Sequence, residues 1–454
     1  KPININVPNL TDLPDIAIQG ITSIQISDIN VDRDINIVLL NQEIVPKTFE
    51  RIVIPSLNLE QNGNGYNAGS SAQNLYTNID DFTQGTFLSS TDTHTALLQL
   101  IGTKGSTYTN PTGGSGSLTY VITSDIGTKR PGSRIIAMES HRGEAGSLAG
   151  NANQVISLTT TGNLTVNTNN AKALEIEHGY SGRGDISYVN QGNIISDPTS
   201  YNVIGIDFIR SRNLLHAENW GSITLMGDTS IGFEVLNATA TIGIVNKSNA
   251  KINLYGNGSY GFYLNNGDFS NTVVQTATNI DPSIIFTNKF IQNGEINLYG
   301  SDDYGIVVNG LAKFPDNTVL NGGKITISGN NSTGIYQSIA NKPFINDGSI
   351  IISGTNSNGI RVDNGTSINS NTGIIDLNGN VFNSTGMVAA NVDGSSAVTN
   401  NGIIRINSTN SKNIGMYGVD GGLTSNTVKN TGQVILNLTD ISAQNIGIVN
   451  INSK

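Results

Sequence analysis

The sequence predicts an all-β protein, a right-handed parallel β-helix (solenoid) with an N-terminal cap or irregular early coils. Three observations carry this. A glycine-anchored unit of 25–30 residues recurs from about residue 150, apolar residues alternate with period two behind each anchor, and the composition is that of turns and strands.

The anchors are Gly162, Gly192, Gly221, Gly294, Gly323, Gly348, Gly373, Gly402 and Gly432, with Ala250 in the same role. Their successive spacings are 30, 29, 29, 44, 29, 25, 25, 29 and 30. A second glycine follows 11 residues later at Gly232, Gly261, Gly305, Gly334 and Gly359, and 13 to 15 later at Gly205, Gly386, Gly415 and Gly447. Positions two and four after the anchor are aliphatic: Ile223 and Leu225, Ile252 and Leu254, Ile296 and Leu298, Ile325 and Ile327, Ile375 and Leu377, Ile404 and Ile406. Period two marks a strand with one buried face. So short a strand cannot bury that face alone, so each unit is one coil of two or three strands stacked on the next. The leucine spacing and strand-plus-helix composition of leucine-rich repeats are missing, and no segment has a helical period.

Asn and Gly tolerate positive φ and bond their own turns. A column of Asn321, Asn346, Asn371, Asn400 and Asn430 is therefore expected to stack as a ladder along the coils. Residues 151–454 read as the regular β-helix, with an inserted loop at 271–290 where the spacing of 44 exceeds one coil by about 15 residues. Residues 61–150 read as irregular early coils with loops, including strands at LTYVIT and SRIIAMES. Residues 1–60 read as N-terminal cap or edge strands, which cover the open end of a solenoid.

Among 454 residues 52 are Gly and 13% are charged, against about 25% in an ordinary soluble domain. The net charge is -10, with no run of Lys or Arg, which argues against a nucleic-acid partner. No apolar stretch reaches the roughly 20 residues of a membrane span, so no membrane insertion is expected. The chain opens at Lys1 without a charged and apolar leader and reads as a soluble piece of a longer protein. It has no cysteine, which suits a bacterial surface protein that crosses an outer-membrane pore unfolded.

Chemistry-bearing residues are few. Asp302 and Asp303 in GSDDYGI are the best carboxylate pair, yet alignment with GNGSYGF and GNNSTGI places them at turn positions. His94, His141, His178 and His216 lack metal spacing, no G-x-S-x-G is present and no calcium nonapeptide occurs. The expectation is no enzyme, no metal and no cofactor. Arg183, Gly184 and Asp185 form an RGD triplet in HGYSGRGDISY, where a projecting glycine turn would let an Arg and an Asp bridge a receptor's carboxylate and its metal ion. Tyr255 and Tyr299 both lie five residues after their anchors, with Met226 one coil earlier, and Tyr260 and Tyr304 both precede the second glycine. Such a stripe either stabilises the coils from outside or stacks on sugar rings or a protein contact. Trp220, the only tryptophan, reads as a packed turn residue.

The Asn-x-Gly-x-Ile-x-Leu grammar, the missing cysteines and the Ser, Thr and Asn load resemble passenger domains of large monomeric (type Va) autotransporter adhesins. Through VPNLTDLPDIAIQGI and RIIAMESHRGEAGSLAG the chain is most similar to fusobacterial outer-membrane adhesins. The resemblance implies a cleaved signal peptide, a β-helical passenger on the bacterial surface and tethering to the outer membrane through a C-terminal translocator outside this chain. It implies monomeric adhesion to a host-cell receptor or glycan, or to other bacteria. It carries over no binding residue, and the same repeats occur in proteases and esterases. The alternatives are a carbohydrate-active enzyme or tailspike on the same fold, and a purely structural stalk.

Overall fold

In a computed structural model, described residues are 154–178, 184–209, 215–236, 242–270, 289–390, 395–419, 426–437 and 444–451. Shorter described stretches are 3–5, 23–30, 53–61, 75–76, 96–102, 117–122, 126–128, 131–132, 134–140, 274–276, 285–287 and 392. They are strands and turns with no helix. The chain divides into unit 1 (1–221, 237–243 and 271–288) and unit 2 (222–236, 244–270 and 289–454).

Unit 2 is a parallel β-solenoid with three strands per coil. Its first sheet stacks Ser222–Leu225, Lys251–Leu254, Glu295–Leu298, Lys324–Ile327, Ser349–Ile352, Ile374–Gly379, Ile403–Ser408 and Gln433–Leu436, all parallel. The register places Ile223 on Ile252, Ile296, Ile325, Ile350, Ile375 and Ile404 in turn. These residues and their partners two positions on are fully buried. Each contributes about 1.5–3 kcal/mol relative to exposure.

Both glycine registers have one cause, close backbone approach between coils. A Cβ on Gly323 or Gly348 would stand 2.2 or 2.0 Å from the carbonyl oxygen of the preceding anchor. A Cβ on Gly305 or Gly334 would stand 2.5 or 2.6 Å from the next coil's glycine carbonyl. The second glycine opens the second strand, as in Ile231–Val235, Tyr260–Leu264, Tyr304–Val308, Thr333–Asn346 and Asn358–Asn369. The last two continue into the third side of the coil, where they end on the asparagine ladder.

That ladder corrects one expectation. Asn321, Asn346, Asn369, Asn400 and Asn430 pass side-chain bonds of 2.7, 2.7, 2.8 and 2.8 Å, so Asn369 rather than Asn371 is the member in that coil. Residues 370–372 form a turn between it and Gly373, whose N–H bonds back to Ser370. The Asn-x-Gly grammar slips by two residues there, while the buried ladder keeps its register.

Unit 1 has the same parallel pairing in Arg134–Ser140, Lys172–His178 and Ile204–Ile209. Ser117–Ile122, Gln154–Thr160, Gly184–Asn190 and Leu215–Asn219 also stack in parallel. Towards the N-terminus, Val53–Gln61 pairs antiparallel with Ser23–Asn30 and with Ser117–Ile122. Within the 271–290 insertion Val274–Thr276 and Ile285–Thr287 pair antiparallel. One buried charge cluster stands out. Arg134 and Lys172 contact Glu175, and Lys172 also contacts Asp207. Burial works against the Glu175 carboxylate, but the Arg134 and Lys172 cations pull it down to about 2. Burial outweighs Lys172 at Asp207 and pushes it up to about 6. Burial also opposes the Lys172 ammonium, yet Asp207 and Glu175 hold it above its ordinary range.

Candidate functional site

The aromatic residues of unit 2 are placed by the turn between the first and second strands. Five residues make each turn: 226–230, 255–259, 299–303, 328–332 and 353–357. The second is a glycine whose Cβ would meet the previous coil, as at Gly300, 2.2 Å from the Gly256 oxygen. The fourth adopts positive φ in every coil, at Thr229 (54°), Gly258 (66°), Asp302 (61°), Asn331 (55°) and Asn356 (54°). The fifth is buried, and its side-chain oxygen accepts the backbone N–H of the fifth residue one coil earlier. The bonds are Ser230 to Ser259 at 3.0 Å, Ser259 to Asp303 at 2.8 Å, Asp303 to Ser332 at 3.0 Å and Ser332 to Ser357 at 3.1 Å.

Asp303 thus occupies a serine's place with no exposed surface. At this position Ser332 and Ser357 also donate Oγ–H to the glycine carbonyl of the preceding coil, at 3.4 and 3.1 Å. Asp303 makes no such bond, and its Oδ2 is buried without a hydrogen-bond partner. Burial pushes Asp303 up to about 7, against the N–H groups of Ser259 and Gly300 and with help from the charges of Asp302 and Asp228. The sequence reading of the aspartate pair as turn residues fits this geometry.

The first residue of the turn carries the outer tyrosines. Tyr255 and Tyr299 stack with centroids 4.5 Å apart and planes at 14°, and remain 46% and 45% exposed. They are 44 residues apart in sequence and one strand apart in space. Directly after the turn, Tyr260 and Tyr304 stack at 5.4 Å and 10°. Burial, and then the neighbouring Tyr304 and Tyr263, raise the Tyr260 phenol above its usual range.

Four residues join this face that the tyrosine repeat did not indicate. Tyr263 meets Tyr260 edge-on at 5.3 Å, and Tyr336 meets Tyr304 edge-on at 5.9 Å. The Tyr336 hydroxyl donates to Asp363 at 3.0 Å, and the same carboxylate accepts Arg361 Nε and Nη2 at 2.9 and 3.3 Å. Tyr263, Tyr336 and Arg361 each lie two residues after a second glycine. That offset is countable in the sequence and marks the outward position of the second strand.

Gly184 and Asp185 of the RGD triplet open the strand Gly184–Asn190, opposite Gln154 and Val155, rather than the tip of a projecting turn. Arg183 lies outside the described residues. So do His94 and His141, and nothing is described of the His178 side chain. His216 is buried, with Nε2 2.9 Å from Glu218, whose other oxygen accepts the Trp220 indole N–H at 2.5 Å. Trp220 is therefore a half-buried turn residue bonded to its own strand. Among the described residues no three His, Asp or Glu side chains cluster as a metal site would need, and no helix is long and apolar enough to cross a membrane.

No known protein family, curated protein or solved structure matches this chain.

Proposed function

We propose that this chain is a binding segment of a bacterial surface adhesin, an autotransporter passenger whose solenoid presents a tyrosine face to a host-cell receptor, a glycan or another bacterium. The single observation that supports it is the exposed Tyr255–Tyr299 stack, with a second stack, Tyr260–Tyr304, directly after the turn in the same coils. Rings nearly half exposed contribute little to the solenoid's own burial. They are amphipathic, rigid anchors of the kind that concentrate binding energy.

The enzyme alternative asks for two accessible carboxylates facing a common groove. Asp303 is fully buried and engaged in the turn ladder, so the Asp302–Asp303 pair does not present two accessible carboxylates.

The test is attachment of the purified chain to epithelial cells and to bacterial cells, wild type against Tyr255→Ala/Tyr299→Ala. Saturable attachment that drops at least tenfold in the double variant is expected. Attachment equal in both proteins would remove the tyrosines from the site. Absence of any attachment would favour the stalk.

A further inference from the structure

On the second sheet of unit 2, four successive strands carry a continuous row of half-buried rings and one planar ion pair. Tyr260 and Tyr263 lie on one strand, Tyr304 on the next, Tyr336 on the third, and Arg361 with Asp363 on the fourth. At one strand spacing of about 4.8 Å the row runs about 14 Å along the coils. Its chemistry changes along that length, from stacked rings at Tyr260 and Tyr304, through the Tyr336 hydroxyl, to a guanidinium fixed on a carboxylate.

Two features define what fits. The first is charge. Asp363 receives two guanidinium N–H groups and the Tyr336 hydroxyl, so the cation and anion cancel locally, and the chain as a whole carries -10. An anionic ligand would find no uncompensated cation and would meet a repulsive field. The second is the mixture of surfaces. Arg361 keeps a 38% exposed side chain and three further N–H groups, while Asp363 is only 6% exposed. Fixed planar donors next to aromatic rings match a sugar, whose C–H groups pack against apolar ring surface and whose hydroxyl rim needs preorganised donors and acceptors. A protein partner would need about 1,000 Å² of complementary surface, more than a strip four strands long supplies alone.

We infer that Tyr260, Tyr304, Tyr336 and Arg361 form a binding strip for neutral oligosaccharides lying along the coil axis, with Asp363 holding Arg361 in place. This rests on the adhesive reading and names the ligand class for it.

The experiment is a printed array of neutral hexose and N-acetylhexosamine oligosaccharides, with uronic-acid- and sialic-acid-terminated ones as the charged arm, probed with the whole chain. Saturable binding to neutral members is expected, weakened at least tenfold by Tyr304→Ala and by Arg361→Gln at a temperature where both variants remain folded. Should either variant unfold, Tyr336→Phe keeps the ring and removes only the hydroxyl on Asp363, and a severalfold loss is expected from it. Binding confined to charged sugars, or binding indifferent to all three variants, overturns the strip. Attachment to cells without binding to any oligosaccharide overturns the glycan assignment and leaves the adhesive reading standing. Failure of both refutes that reading itself.

Discussion

Replacing Asp303 by serine restores the residue type that its ladder uses at 230, 259, 332 and 357, and pH reveals what the aspartate costs. In the folded chain its carboxyl sits at about 7, against 3.8 for an ordinary aspartate. The folded state therefore retains a proton that the unfolded state has released between those values, and stability falls as pH rises through that window. Each unit is worth about 1.4 kcal/mol, so the difference of about three units amounts to at most about 4 kcal/mol, fully lost above pH 7. Asp303→Ser removes the titration. Urea denaturation from pH 4 to pH 9 is expected to give curves for the two proteins that diverge steadily towards pH 7 and run parallel above it, with the variant more stable at the alkaline end. Hydrogen exchange at the Ser259 amide, which donates to Asp303, gives the local readout and is expected to quicken with pH in the wild type beyond the intrinsic rate. A wild-type stability that is flat or rises between pH 4 and 7 relative to the variant would refute the assignment of a protonated ladder residue.

Other substitutions probe the columns. Gly334→Ala places a Cβ 2.6 Å from the Gly359 oxygen and is expected to cost about 2–3 kcal/mol by urea denaturation. Asn346→Ala deletes an interior member of the ladder and is expected to cost about 2–3 kcal/mol, whereas Asn371→Ala stays within about 0.5 kcal/mol. Equal effects at the two asparagines would contradict the ladder register. Thr229→Asn, at φ 54°, is expected to raise stability by about 1 kcal/mol, read as a higher melting midpoint, because a β-branched residue is strained there. Tyr299→Ala removes one exposed stack and is expected to cost no more than about 1.5 kcal/mol, so any loss of attachment in that variant is attributable to binding.

The coil was legible because stacking converts sequence spacing into spatial columns. Gly305 and Gly334 recur because a carbonyl of the neighbouring coil passes where a Cβ would be, and Ile296 and Ile325 recur because they share one buried row. Asn369 was missed because a three-residue turn separates it from Gly373, and the ladder follows backbone register rather than distance to glycine. On the outer face no side chain has to repeat, so the column through Tyr263, Val307, Tyr336 and Arg361 changes type at each step. Its position could be counted, but its membership could not be guessed. The raised carboxyl of Asp303 had no sequence signal beyond its alignment with serines.

Tyr255 and Tyr299 meet although 44 residues separate them, whereas 29 separate Tyr304 from its neighbour Thr333 and 25 separate Thr333 from Asn358. Distance along the solenoid is thus metered in coils, and the number of residues spent between coils does not enter it. Connecting segments in such a chain are free to lengthen, shorten or change identity while every residue pair on the two sheet faces keeps its spacing. A chain built on this ruler can change its loops and still keep the same ring-to-ring geometry on its sheet faces.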